Sequence, residues 1–160
     1  MKLSSRGHYG LRAMAELARL YGKGPLSLTD IAEVEGLSLA YLEQLIAVMR
    51  RSGLVVATRG VHGGYELARE PRTISVGEVI RALEGSIAPV ECASEGASEA
   101  CCERESDCAT KDVWVKMRES IAQVLDSTSL EDLCRSSASK ASSQGSEQGI
   151  DNNVTTGGIV

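Results

Sequence analysis

Four of the chain's five cysteines fall in one stretch, as Cys92, Cys101, Cys102 and Cys108. The residues between them are Ala, Ser, Glu, Gly, Arg and Asp, with no aromatic and no Leu, Ile or Val to build a core. A connection this long with nothing to bury is more often functional or disordered than a plain linker. Thiolates a few residues apart can hold zinc or an iron–sulfur cluster. Zinc fits less well, because structural zinc sites use paired, short-spaced cysteine knuckles, whereas Cys101 and Cys102 are adjacent. Adjacent thiols rarely both reach one small ion. The ligand set is therefore Cys92, one of Cys101 and Cys102, and Cys108, with a fourth position left to another residue. A set of free, oxidisable thiols is the plainer alternative. Cys134 lies outside the cluster and reads as a small apolar packing residue.

These thiols need a body to act on, and the charge pattern points to one. Residues 1–76 carry 10 Lys and Arg against 7 Asp and Glu, while residues 77–160 carry 7 against 15. A mildly basic front half precedes an acidic back half, so the overall charge of −5 conceals a surface that could face nucleic acid. No apolar run reaches membrane-spanning length, and Met1–His8 lacks the apolar region of a signal peptide. The expected compartment is the cytoplasm, where clustered cysteines serve metal or redox chemistry in preference to structural disulfides.

The front half has the periodicity of packed helices. An apolar stripe over residues 4–21 predicts a first helix, ending near Gly22 and Gly24-Pro25. Ser27-Leu28-Thr29-Asp30 has the form of a capping box and opens a short helix that stops at Gly36. Leu42, Leu45, Ile46 and Met49 then mark the buried face of a third helix, which Gly53 ends. A short helix, a tight turn and a second helix make a helix-turn-helix. Leu54–Thr58 and Tyr65–Ala68 read as two strands joined by Arg59-Gly60-Val61-His62-Gly63-Gly64, so the motif carries a wing. Ser75-Val76-Gly77-Glu78 opens another helix, and one more runs from about 112 to 126. On that last helix Trp114, Met117, Ile121 and Val124 (or Leu125) have the spacing of a seam against a second helix, in a dimer or folded back onto the chain's own domain. The dimer is the preferred reading, since palindromic DNA sites require two-fold proteins. Residues 136–160 have no apolar periodicity and read as a disordered tail.

The reading helix presents Ser38, Ala40, Tyr41, Gln44, Ala47 and Arg51 once its apolar face is buried. Small residues at its start allow close approach to a major groove, Gln44 can pair bidentately with adenine, and Tyr41 can reach phosphate. Thr29, with Ser27 and the helix N-terminal amides, suits phosphate oxygens. Arg59, beside Gly60 at the wing tip, can enter a narrow minor groove. A winged helix used only for protein contacts is the alternative. An enzyme is excluded: two histidines, both on helical or wing positions, offer no base-and-orienter constellation, and no phosphate-binding GxxxxGK loop is present.

In combination these motifs resemble the bacterial iron–sulfur-sensing regulators of the IscR/NsrR family, and most of all its IscR branch. The resemblance rests on Tyr9-Gly10-Leu11-Arg12-Ala13, Leu28-Thr29-Asp30-Ile31-Ala32, Leu39-Ala40-Tyr41-Leu42-Glu43-Gln44-Leu45, Arg59 to Tyr65, Val76-Gly77-Glu78-Val79-Ile80 and the cysteine stretch, over about residues 1–135. It implies a winged-helix dimer with crossed long helices, mainly α with a small β-hairpin. It also implies an iron–sulfur cluster, 2Fe–2S on the IscR branch (the preferred type) or 4Fe–4S on the NsrR branch. The family's spacing between its last two cysteines fits Cys102 to Cys108, with Cys101 as the alternative to Cys102. The pattern's usual histidine, three residues after the last cysteine, is Lys111 here, and an ammonium cannot ligate. The fourth ligand then falls to Glu43, on the reading helix, or to His8, on the first helix, reaching from the other subunit.

The organisation expected is a DNA-binding winged helix over 1–84, a cluster-binding loop over 85–110, a dimerisation helix and terminal turn over 111–135, and the tail over 136–160. The function expected is a DNA-binding regulator on a pseudo-palindromic operator, sensing an iron–sulfur cluster and controlling cluster-assembly genes. A nitric-oxide-sensing repressor and a thiol- or zinc-switched regulator are the alternatives.

Overall fold

The computed structural model describes residues 4–97 and 108–136. The elements in order are α1 (Ser5–Arg19), α2 (Leu28–Glu35), α3 (Leu39–Arg51), β1 (Val55–Thr58), β2 (Gly64–Leu67), α4 (Val76–Glu84), α5 (Lys111–Ser127) and a last helix, α6, over 130–136. Single 3-10 turns cover Pro71–Thr73 and Glu91–Ala93. The fold is mainly helical with a two-stranded antiparallel wing, as the sequence predicts.

Side-chain caps set most helix starts. Ser4, Ser27, Ser38 and Ser75 each accept a hydrogen bond from the first turn of the helix that follows. At Ser75 the box is reciprocal: Glu78 N donates to Ser75 Oγ at 3.1 Å and Ser75 N to Glu78 Oε2 at 3.0 Å. Ser129 and Asp132 do the same for α6. The first helix is shorter than its stripe suggests. It is capped at Leu20, before Gly22, because the turn toward Pro25 begins one residue after Arg19.

The core lies where α1, α2, α3 and α4 meet. Ala13, Met14 and Leu17 of α1, Ile31 of α2, Leu42, Leu45, Ile46 and Met49 of α3, and Val79 and Leu83 of α4 are all essentially fully buried. Burial of a side chain of this size contributes about 1.5–3 kcal/mol, so this cluster fixes the helix-turn-helix on α1 and α4. The wing pairs Val55 with Leu67 and Thr58 with Gly64. Its second strand is also tied to the α1–α2 connection: Leu26 N donates to Tyr65 O at 2.9 Å and Tyr65 N to Leu26 O at 2.8 Å. Gly64 makes this possible, since a Cβ there would lie 2.4 Å from Leu26 O.

The back of the chain folds onto this body at two places. Residues 75 and 129 form a bridge, in which Val76 N donates to Thr128 O at 2.8 Å and Leu130 N to Ile74 O at 3.0 Å. That bridge delivers Leu130 into the core at 0% exposure, with Leu133 and Cys134 packed against it. Cys134 Sγ lies 3.7 Å from Ala15 O, which agrees with its reading as a packing residue.

α5 is different. It has no buried residue in the single chain. Ile121, Ala122 and Leu125 pack on a small cluster of Val76, Ile80 and Ile87. Val113, Met117 and Val124 stay exposed at 56%, 41% and 64%. The single seam expected of Trp114, Met117, Ile121 and Val124 or Leu125 therefore divides in two. Ile121 and Leu125 belong to the chain's own domain, and an unpartnered stripe remains beside them. No helix among the described residues is long and apolar enough to cross a membrane.

Candidate DNA-reading face and cysteine loop

The turn between α2 and α3 is short because Gly36 ends α2 in the left-handed region (φ 65°) and Ser38 already caps α3. α3 turns Leu42, Leu45, Ile46 and Met49 inward. It leaves Ala40, Glu43, Gln44, Arg50 and Arg51 exposed, with its cap Ser38. Tyr41 is half-buried. Its ring meets Tyr9 of α1 edge-on, with centroids 6.3 Å apart and planes at 87°, so it ties the reading helix to α1. Thr29 is exposed at the start of α2, and Arg59 and Gly60 are exposed at the wing tip beside Val61, which is 99% exposed.

Two grooves run along this face. One is lined by Arg6, Tyr41, Gln44, Leu45, Ala47, Val48 and Arg51. The other lies between α3 and the wing, lined by Ala47, Arg50, Arg51, Val55, Val56 and Ala57. Three of the residues expected to touch DNA, Tyr41, Gln44 and Arg51, thus share one groove, while Arg59 and Gly60 sit apart on the wing. Arg6 joins the groove without having been expected there. In sequence it is one cation in the first turn of an amphipathic helix, and only the packing of α1 beside α3 reveals it. Arg50 also faces this side, its guanidinium 6.0 Å from the centre of the Tyr65 ring.

The arginines divide sharply. Arg12, Arg19, Arg69, Arg72, Arg81, Arg118 and Arg135 each have a carboxylate partner. Arg6, Arg50, Arg51 and Arg59 have none among the described residues, and all four lie on the reading face or the wing. Cations left unpaired along one face are the footprint of a polyanion site.

The cysteine loop is only partly within the described residues: Cys101 and Cys102 lie outside them. Cys92 is half-buried in the turn Glu91–Ala93. Its arm is less devoid of core than its composition suggests, since Ala93 is 2% exposed and Ile87 just before it is also 2% exposed. Cys108 precedes α5, with Sγ 3.4 Å from Thr110 Oγ1. Hydrogen bonds from the Thr110 side chain and backbone, then the nearby Lys111 amide and charge, hold the Cys108 thiol below its ordinary pKa. Burial pushes the Cys134 thiol up. Because the thiolate is the nucleophile, iodoacetamide at neutral pH should label Cys108 of the metal-free protein well before Cys134. Peptide mapping reads the order directly, and equal rates would contradict it.

Glu43 and His8 are both exposed, His8 with its ring 5.2 Å from that of Tyr9. Within one chain no group of three or more His, Cys, Asp or Glu comes together among the described residues. Of the loop thiols within the described residues, Cys92 sits on an anchored turn and Cys108 is held below its ordinary pKa by Thr110 and Lys111, the side-chain type that thiolate-bound metals require.

A helix-turn-helix with a wing, a cationic reading face and a helix left free to pair defines a winged-helix transcriptional regulator. The chain belongs to the Rrf2 family, described as iron-dependent transcriptional regulators, whose model matches residues 3–136. It is 45% identical over 133 residues to the HTH-type transcriptional regulator CymR of Bacillus subtilis, covering 83% of this chain and 89% of that one. The solved structure of that protein, the global cysteine regulator of B. subtilis, matches with a TM-score of 0.70 over 84% of this chain and 97% of the other at 44% identity. The structure of T. potens IscR matches with a TM-score of 0.68 at 46% identity, over 93% and 94%. IscR of Aliivibrio salmonicida is 40% identical over 134 residues, 83% of this chain and 77% of its own. The resemblance to IscR-type regulators seen in the sequence therefore holds, and CymR matches comparably well.

Proposed function

We propose that this protein is a homodimeric repressor or activator that binds a pseudo-palindromic DNA site and is controlled by an iron–sulfur cluster at its cysteine loop. The observation that carries the DNA reading is the set of arginines without a carboxylate partner among the described residues, Arg6, Arg50, Arg51 and Arg59, around the exposed face of α3. Ser38, Ala40 and Gln44 face the major groove, Tyr41, Arg51 and Thr29 meet phosphate, and Arg59 with Gly60 enters the minor groove. Cys92, Cys108 and Cys102 (or Cys101) hold the cluster, 2Fe–2S in preference to 4Fe–4S, with Glu43 or His8 of the second subunit as fourth ligand. When bound, the group supplies thiolate-held iron whose loss or oxidation reports cluster supply, which fits control of cluster-assembly genes. The winged helix over 1–84 binds DNA, 85–110 is the sensor, and 111–135 carries the pairing helix. The compartment is the cytoplasm.

The test is anaerobic reconstitution with iron and sulfide, read by visible absorption and by DNA titration. Coupled sites typically shift affinity by about 5- to 150-fold. The Cys92→Ala, Cys102→Ala, Cys108→Ala triple variant should lose both the absorption and the shift. Unchanged spectrum and affinity would sink the proposal, and the same set with Cys101→Ala identifies the middle ligand.

A second reading has support of its own: the same DNA module switched by thiols without iron. The likeness to a global cysteine regulator, the activated Cys108 thiol and Lys111 in place of a ligating side chain favour it. Protein purified without oxygen and lacking both iron and sulfide would select this reading, and zinc without sulfide would select a zinc-bound form.

A further inference from the structure

The arm that carries Cys92 is fastened at two points. Arg118 Nη1 of α5 donates to Ala93 O at 2.8 Å. Two residues on, Glu95 Oε1 lies 3.4 Å from Arg81 Nη2 of α4. The same Arg81 grips Asp126 of α5 with both nitrogens, Nη1 to Oδ1 at 2.5 Å and Nη2 to Oδ2 at 2.9 Å. α4 belongs to the winged-helix core through Val79 and Leu83, while α5 carries the exposed apolar stripe. Three bodies therefore meet at one guanidinium: the reading module, the pairing helix and the arm bearing Cys92.

The junction is tight on one side and loose on the other. A Cβ at Gly77 would lie 1.8 Å from Asp126 Oδ1 and 2.6 Å from Arg81 Nη1, so the absence of a side chain at 77 lets α5 approach α4 with this ion pair between them. The Arg81–Asp126 contact is bidentate, the geometry that adds direction as well as strength. The Arg81–Glu95 contact is single and long, and Glu95 is 51% exposed. Any displacement of the arm breaks the Glu95 contact first. Arg81 is then free to reorient on Asp126, and the α4–α5 angle is no longer fixed from the arm side.

We propose that Arg81 is the positioning residue that couples the Cys92 arm to the α4–α5 junction, with Glu95 as the releasable contact and Asp126 as the fixed one. The proposal rests on reading the cysteine loop as the sensor, and adds to it the route by which the reading helices are informed. The contacts are solvent-exposed, so they contribute little to stability. Their removal should leave the fold intact and change only the coupling.

The experiment uses the full chain and a duplex selected by the wild-type protein from a randomised library. Linkage makes coupling reciprocal: if the arm's state alters DNA affinity, DNA must alter the arm. In the wild type, saturating DNA should change amide hydrogen exchange across residues 86–97 by a factor within the roughly 5- to 150-fold range of coupled sites. Glu95→Gln should abolish that change while keeping the apoprotein's DNA affinity and melting temperature. It should also keep the visible spectrum after reconstitution and lose the spectrum-linked shift in DNA affinity. Asp126→Asn should lose the exchange change as well, and Glu95→Asp should restore part of it. The proposal is overturned if exchange over 86–97 ignores DNA in the wild type, if Glu95→Gln retains the full effect, or if it merely lowers melting temperature and DNA binding together. Exchange coupling without any iron–sulfur spectrum would leave Arg81 in this role and remove the iron–sulfur reading instead.

Discussion

Gln44→Ala should weaken binding to a two-fold DNA site by about 2–6 kcal/mol, roughly thirtyfold to twenty-thousandfold. The size follows from symmetry. A good bidentate side-chain–base pair discriminates by about 1–3 kcal/mol, and in a homodimer each substitution is made once per half-site. Gln44 is exposed on α3 between the small side chains of Ala40 and Ala47, which let the helix backbone approach base edges. It lines the same groove as Arg6 and Arg51. The loss should be specific: single-base variants of the site at the contacted pair should become nearly equivalent for the variant. Arg51→Ala serves as the contrast. An arginine on phosphate carries no base information, so its loss should weaken all sequences alike. It should also lower the slope of log affinity against log salt by ~2 for a dimer, near 0.9 per phosphate. Anisotropy titrations at several salt concentrations separate the two behaviours. A Gln44→Ala protein with unchanged affinity and unchanged base preference would remove α3 from the reading role.

The helix-turn-helix half of this arrangement was legible because its determinants are local. Ser27, Ser38 and Ser75 sit where a helix must start, Gly36 and Gly53 where one must stop, and Leu42 to Met49 repeat with helical spacing. Exposure on α3 followed by subtraction from its buried face. What the sequence did not reveal is set by tertiary approach. Arg6 reaches the groove only because α1 lies along α3. The N-terminus of α1 is held there from far away, since Glu84 of α4 accepts from Ser4 Oγ and, at 2.7 Å, from Gly7 N. Likewise Ala93 is an unremarkable small residue in sequence. It becomes a fixed point because Arg118, twenty-five positions on, caps its carbonyl. Periodicity locates an apolar face but says nothing of which chain covers it, which is why one expected stripe on α5 proved to be two.

That division gives the second large effect. Met117→Glu with Val124→Glu should convert the protein to a folded monomer and reduce operator affinity by about 10²- to 10⁴-fold, the advantage that linking two binding modules confers. Neither side chain is buried in the single chain, at 41% and 64% exposure, and with Val113 they follow one another along the outer side of α5. Their replacement removes nothing from the chain's own core. In a pairing seam, however, four carboxylates would be driven into apolar contact, and unpaired charges there cost several kcal/mol each. Ile121→Glu is the control of opposite character. Ile121 packs against Val76, Ile80 and Ile87, so a charge there should lower the melting temperature of the protein itself, by loss of the α4–α5 contact. Sedimentation equilibrium, circular dichroism and DNA titration on the two variants distinguish the outer stripe from the inner one. If Met117→Glu with Val124→Glu sediments as the wild type does and still binds the site, α5 is not the pairing helix. The division of its stripe would then reflect only how α5 lies on α4.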